Sequence, residues 1–271
     1  MSAKKVLVTG AAGRIGMALR KGLPDQSWSL RLADLQPIPD IGPGEEFVQA
    51  DVTDLEAVEK MVDGVDAIVH MAAAVSAAGW DVMFKPNFIG CYNIFEAARR
   101  KGVKRIVYAS SIHAHGFHRR ERKIGPSTLP RPDSIYGVSK VFGEAIGRLY
   151  ADKHGMEVVC LRIASFQPKP VNVRQLSTWL SPRDCVQMVR CALEAPDVHF
   201  EALYGASANT RQIYDVSNWG NIGYRPQDNA EEFAAEILAK TTVEAEPEME
   251  RMFHGAMYVP KEFSGDLSKI T

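Results

Sequence analysis

Along the first 165 positions the apolar residues follow two alternating rhythms. The runs "KVLVTG", "SLRLADL", "DAIVHMA", "RIVYASS" and "EVVCLRIAS" are short and largely apolar. Each predicts a strand buried on both faces. Between them, "RIGMALRKGL", "LEAVEKMVDG", "NFIGCYNIFEAARRKG" and "SIYGVSKVFGEAIGRLYADKHG" space their apolar positions for one helix face, and the last three close on glycine. A further apolar segment precedes Asp51. Strand and helix in repeated alternation predict an α/β fold, a doubly wound parallel sheet with helices on both faces. After Ser165 the rhythm breaks, leaving expected helices only near 182–195 and 229–240. The tail is too broken for an independent domain. The expectation is one domain over 1–271, with a core at 1–165 and a small C-terminal substrate-binding lobe at 166–271.

"TGAAGRIG" sets Gly10, Gly13 and Gly16 between a strand and a helix. In that context the first glycine permits a tight turn and the second a close approach of backbone to a pyrophosphate. The third permits close helix–strand packing, and the helix N-terminus faces the negative charge. This makes the fold Rossmann-type and the cofactor a dinucleotide. Asp34, eighteen residues after Gly16, ends the second strand. A carboxylate there accepts ribose hydroxyls and repels a 2′-phosphate, which favours NAD over NADP. Arg14 sits inside the glycine loop, within reach of a phosphate. Asp51 and Val52 follow the third apolar segment, where adenine contacts fall. Ile15, Ala72 and Ile163, beside the loop or at strand ends, complete the expected cofactor set.

"YGVSK" spaces Tyr136 and Lys140 four apart, so both project from one helix face. Tyrosine, with a pKa near ~10, is a poor base at neutral pH, and an adjacent ammonium favours its phenolate. Ser111, at the end of the fourth strand, can bond the reacting oxygen. These three form the expected catalytic set.

Bulk properties narrow the partners. Net charge is −1, with 46% hydrophobic and 24% charged residues, as in an ordinary soluble protein. Neither nucleic acid nor an anionic membrane is an expected partner. Cys91, Cys160, Cys185 and Cys191 form no CxxC or zinc spacing, and no targeting segment or membrane span is visible, so a cytoplasmic location with reduced thiols is expected. "HAHGFHRR" groups His113, His115 and His118 without advertising a metal geometry, and no metal is expected. The "RRERK" run, Arg119 to Lys123, reads as a solvated loop.

Together these motifs resemble the short-chain dehydrogenase/reductase superfamily, in its extended branch of epimerases and dehydratases. Further stretches, including "LRLADL", "RPDSIYGVSKVFGE", "LSTWLS", "YGASANT" and "GYRPQDNAEEF", are similar to bacterial uronate dehydrogenases nearly end to end. That resemblance implies NAD-dependent oxidation of D-glucuronate or D-galacturonate at C1 to the aldaric acid lactone. It also implies substrate contacts from Ser76, Ser111, His113, Ser165 and Arg174, and a homo-oligomer. The sequence departs from the family at Ile112, where asparagine is usual, and at Val75, where serine is usual. Two alternatives remain open. A nucleotide-sugar epimerase or dehydratase shares the first half, but the 106 residues after Ser165 are few for a nucleotide site. A non-catalytic NAD-binding regulator often lacks the tyrosine, which is present.

Overall fold

The computed structural model describes residues 3–25, 27–75, 79–242 and 245–270. The chain runs β1 (Lys4–Thr9), α1 (Arg14–Gly22), β2 (Trp28–Asp34), β3 (Glu45–Gln49), α2 (Leu55–Val62) and β4 (Ala67–His70). Then α3 (Trp80–Met83) passes through a π-helical segment (Phe84–Ile89) into α4 (Gly90–Lys101), followed by β5 (Arg105–Ser111), α5 (Ile135–His154) and β6 (Glu157–Ile163). Next come a two-residue strand β7 (Ser165–Phe166), α6 (Gln175–Thr178), β8 (Trp179–Leu180), α7 (Pro182–Glu194) and β9 (Phe200–Gly205).

Seven strands form one parallel sheet in the order β3-β2-β1-β4-β5-β6-β9. Side chains alternate across it with the two-residue strand period. Val6 and Val8 of β1 join Leu19 of α1 and Met188 and Val189 of α7 on one face. Leu7 joins Met61 of α2, Phe95 of α4 and Tyr150 of α5 on the other. Helix ends follow local chemistry. Asp54 caps α2 by accepting from the Glu56 and Ala57 amides, and Ser134 caps α5 through the Gly137 amide. Gly102 and Gly155 end α4 and α5 at φ of 75° and 64°, left-handed values that favour glycine.

The boundary expected at 165 lies inside the sheet. β9 pairs with β6, and α7 packs on α1, so both belong to the Rossmann layer. "FEALYG" escapes notice because β9 is an edge strand whose first three residues are only half-buried, without a continuous apolar run. The helix read from Asn87 begins instead at Trp80, because the π-helical turn breaks its 3.6-residue period. The expected helix at 229–240 is a 3₁₀ turn (Ala230–Phe233) followed by α8 (Ala234–Leu238). With Val173, Leu176 and Trp179, these residues form a small satellite core. "RRERK" is not simply a solvated loop. Arg119 donates to the Ile270 carbonyl and lies 4.9 Å over the Phe253 ring, and Arg120 pairs with Glu246 at 2.9 Å. These contacts clamp the C-terminal segment across the strand ends.

Candidate active site

A cleft of about 820 Å³ opens at the carboxyl ends of the strands, where the order reverses between β1 and β4. Its cofactor half is built by glycines. Gly10 sits at φ 68°, and a Cβ there would lie 2.7 Å from the Ala72 nitrogen. At Gly16 a Cβ would meet the Ala11 Cα at 2.6 Å. Only hydrogen fits at either place, so the loop lies flat against β4 and α1. Gly13 caps α1 without a side-chain bond, which leaves the first helical amides for an anion.

Asp34 accepts from the Ala12 amide at 2.9 Å and the Gln36 amide at 3.0 Å. Its carboxylate therefore braces the glycine loop and keeps further lone pairs for a hydroxyl. Arg14 donates to the Phe166 carbonyl at 2.9 Å and to Gln167 Oε1 at 2.7 Å, bridging the glycine loop to β7. Asp51 is held by the Thr53 amide, and the Val52 carbonyl by Asn93. Ile15, Ala72 and Ile163 line the same cleft. These residues suit a dinucleotide by shape and by donor chemistry.

The other half carries the titratable groups. Tyr136 and Lys140 lie one turn apart on α5, both buried, with Lys140 Nζ 5.3 Å from the Tyr136 ring centre. Burial pushes the Tyr136 phenol above its ordinary pKa, while the Ser111 hydroxyl pulls it down. Burial also lowers the Lys140 ammonium to about 8. In the free chain burial therefore outweighs the lysine's expected help to the phenolate. Ser111 is fixed at the end of β5, where its Oγ accepts from the His113 amide. His113 Nδ1 meets Asp133 Oδ2 at 2.7 Å. A carboxylate only accepts, so Nδ1 donates to it, and Nε2 is the ring nitrogen left for a substrate hydroxyl.

Arg174 precedes α6 and reaches into the cleft. It donates to the His254 carbonyl at 2.8 Å and to Ser165 Oγ at 3.3 Å, and Ser165 Oγ meets Thr178 Oγ1 at 2.9 Å. Among the described residues it has no carboxylate within ion-pair distance. Burial lowers its pKa first of all, with Tyr214 acting the other way. A desolvated guanidinium of this kind lacks an anion.

All the expected cofactor, catalytic and substrate positions thus border one cleft, except Ser76, which lies outside the described residues. Val75 is exposed at the cleft, and Ile112 is buried against Ile124 and Tyr214 beside it. Met257 and Tyr258 also line the cleft, and Tyr258 lies 3.9 Å from the His113 ring, centre to centre. Both escaped sequence reading because the segment around them has no periodicity. Asn87 was missed too. Its amide binds both polar backbone atoms of Ala74 and donates to Ser139 at 3.1 Å, pinning the cleft wall to α5. The π-helical turn that carries it is the available signal. His115 and His118 bond separate carbonyls, those of Thr128 and Leu129. Among the described residues no group of three metal-ligating side chains converges.

The chain is similar to known proteins in sequence and in fold. The model of the NAD dependent epimerase/dehydratase family matches residues 6–167. A uronate dehydrogenase from Pseudomonas putida is 41% identical over 87% of this chain and 88% of its own length. A Haloferax volcanii NAD-dependent glucose-6-phosphate dehydrogenase is 38% identical, over 85% and 96% of the two chains. The uronate dehydrogenase from Agrobacterium tumefaciens, as a tyrosine-to-alanine mutant complexed with NAD, superposes with a TM-score of 0.91 at 41% identity, covering 96% of this chain and 98% of that one. From its glycine loop to its Tyr–Lys helix, the chain belongs to the NAD dependent epimerase/dehydratase family, and within it is similar to the bacterial uronate dehydrogenases.

Proposed function

We propose that the protein oxidises a free uronic acid, D-glucuronate or D-galacturonate, at C1 to the aldaric acid lactone, with NAD as cofactor. The observation that carries this reading is Arg174, a half-buried guanidinium in the cleft with no ion-paired carboxylate of its own among the described residues. A uronate's strongest handle is its C6 carboxylate, and a planar guanidinium can grip it with two parallel hydrogen bonds. His113 Nε2 and Ser165 then accept or donate to ring hydroxyls.

NAD supplies the hydride acceptor and a positive ring when bound. Ser111 orients the C1 hydroxyl, and Tyr136 Oη, as phenolate, takes its proton. Lys140 supports that phenolate with its charge and binds the nicotinamide ribose. The glycine loop holds the pyrophosphate, while Asp34, Asp51 and Val52 hold the adenosine end.

A screen of NADH absorbance tests the reading. Uronates are expected to turn over at least about tenfold faster in kcat/KM than neutral aldoses, and nucleotide sugars not at all. A hexose 6-phosphate in the same seat is a second reading, favoured by the same guanidinium because it too is anionic. Phosphates turning over faster than uronates would replace the first reading with the second.

Asp34 is the proposed NAD selector. Asp34→Ala is expected to weaken NAD by roughly tenfold or more, at the ~1.5–3 kcal/mol of a hydrogen bond to a charged group. It should also narrow the preference over NADP. Asp34→Asn, which can keep the Ala12 contact, separates loop bracing from discrimination. A wild type that already prefers NADP overturns the assignment.

The single domain is supported by α7 and β9, which join the tail to the sheet. A homo-oligomer is supported by exposed apolar side chains on neighbouring helices, including Trp80, Tyr92, Val138 and Leu149. A cytoplasmic location is supported by four free cysteines.

A further inference from the structure

Behind Lys140 stands a residue that touches neither end of the cleft. Tyr108, on β5, is buried, and Lys140 Nζ lies 5.2 Å from its ring centre. The same nitrogen is 5.3 Å from the Tyr136 ring centre. Both distances are within cation–π range, so the ammonium is sandwiched between two aromatic faces. Among the described residues Lys140 has no ion pair and no side-chain hydrogen bond, so those faces are its main electrostatic support.

The helix is shaped to admit this ring. Gly143 lies three residues after Lys140, on the same side of α5. A Cβ at Gly143 would run into Cζ and the hydroxyl of Tyr108. The other neighbours of the ring are Phe95, at 6.3 Å between centres, and His70, at 5.9 Å. His70 is buried with Nδ1 2.8 Å from Thr9 Oγ1, and burial holds it neutral, at about 3. The Cys91 thiol adjoins Tyr108 and Lys140, and burial pushes it up to about 12, so it too is neutral. The charged neighbour of the ring is Glu144, one turn after Lys140 on α5, and its carboxylate is already engaged by Arg162 at 2.9 Å and by the Ser110 hydroxyl.

We infer that Tyr108 is a positioning residue: its ring, admitted by Gly143, holds the Lys140 ammonium against Tyr136 and keeps it charged. The inference rests on the Tyr136–Lys140 reading above. The sign of its effect follows from charge. Without the ring the buried ammonium gives up its proton more readily. The phenolate then loses its nearest cation, and the acid limb of kcat/KM moves to higher pH.

Tyr108→Phe keeps the π face and Tyr108→Leu removes it. The Leu variant is expected to move the acid limb up by about one pH unit, on the scale of one cation–π contact. It should lower kcat more than it raises KM for the sugar, and Tyr108→Phe should restore the wild-type profile. The Lys140 Nζ titration, followed by ¹⁵N NMR in the NAD-bound enzyme, should fall in the Leu variant and hold in the Phe variant. Gly143→Ala, which displaces the ring without deleting it, should shift both readouts as Leu does, and it carries the test if the Leu variant does not fold. A folded Leu or Ala variant with wild-type acid limb and Lys140 titration overturns the inference. So does a Phe variant that behaves like Leu. A wild type that turns over no sugar defeats the functional reading instead, while the NMR titration still decides the role of Tyr108.

Discussion

Tyr136→Phe is expected to lower kcat by about 10²–10⁴-fold, the contribution of one general base, while NAD still binds. The substitution removes only the hydroxyl. The ring stays in its buried place on α5, and Lys140 keeps its second aromatic face. The pH profile supplies a second check. Burial raises the Tyr136 phenol, so the active phenolate becomes more populated as pH rises, and wild-type kcat/KM should climb through its acid limb. Burial pushes the Lys140 ammonium down to about 8, so its support should decline above that pH and the climb should flatten. In the Phe variant the limb belonging to the phenol disappears. A Phe variant that keeps near-normal turnover and the wild-type limb removes Tyr136 from the mechanism.

The second large effect belongs to Arg174. Losing one partner of a desolvated charge pair costs roughly 2–5 kcal/mol. Arg174→Ala should therefore lower kcat/KM for uronates by about tenfold to a thousandfold or more. Neutral hexoses have no carboxylate to lose, so their slow rates should stay within about twofold. Arg174→Lys should recover part of the loss, because an ammonium restores charge without the planar fork. The guanidinium also holds the His254 carbonyl, and through it the segment that carries Tyr258. If that support were its whole role, charged and neutral sugars would lose rate together. Equal losses on both would make Arg174 structural and leave the uronate reading without its main support.

Local pattern alone was enough for the parts whose physics is local. Buried parallel strands must be apolar at nearly every position, so β1, β2, β4, β5 and β6 were legible as runs. Gly10 and Gly16 declared a loop that only hydrogen can fit, and Tyr136 and Lys140 declared one helix face. What depends on distant segments was not legible. β9 is an edge strand, specified by pairing with β6 more than by its own sequence. Gly255, Met257 and Tyr258 reach the cleft because Arg174 holds the His254 carbonyl while Arg120 and Arg119 fasten Glu246 and Ile270 on either side, contacts spanning 80 to 151 positions. The sequence could name Arg174 as a cation near the strand ends. Only the packed chain decided that burial would strip part of its water while leaving it without a carboxylate among the described residues. The pKa order of Tyr136 and Lys140 was likewise decided by tertiary burial, since desolvation belongs to the whole cleft and not to a motif.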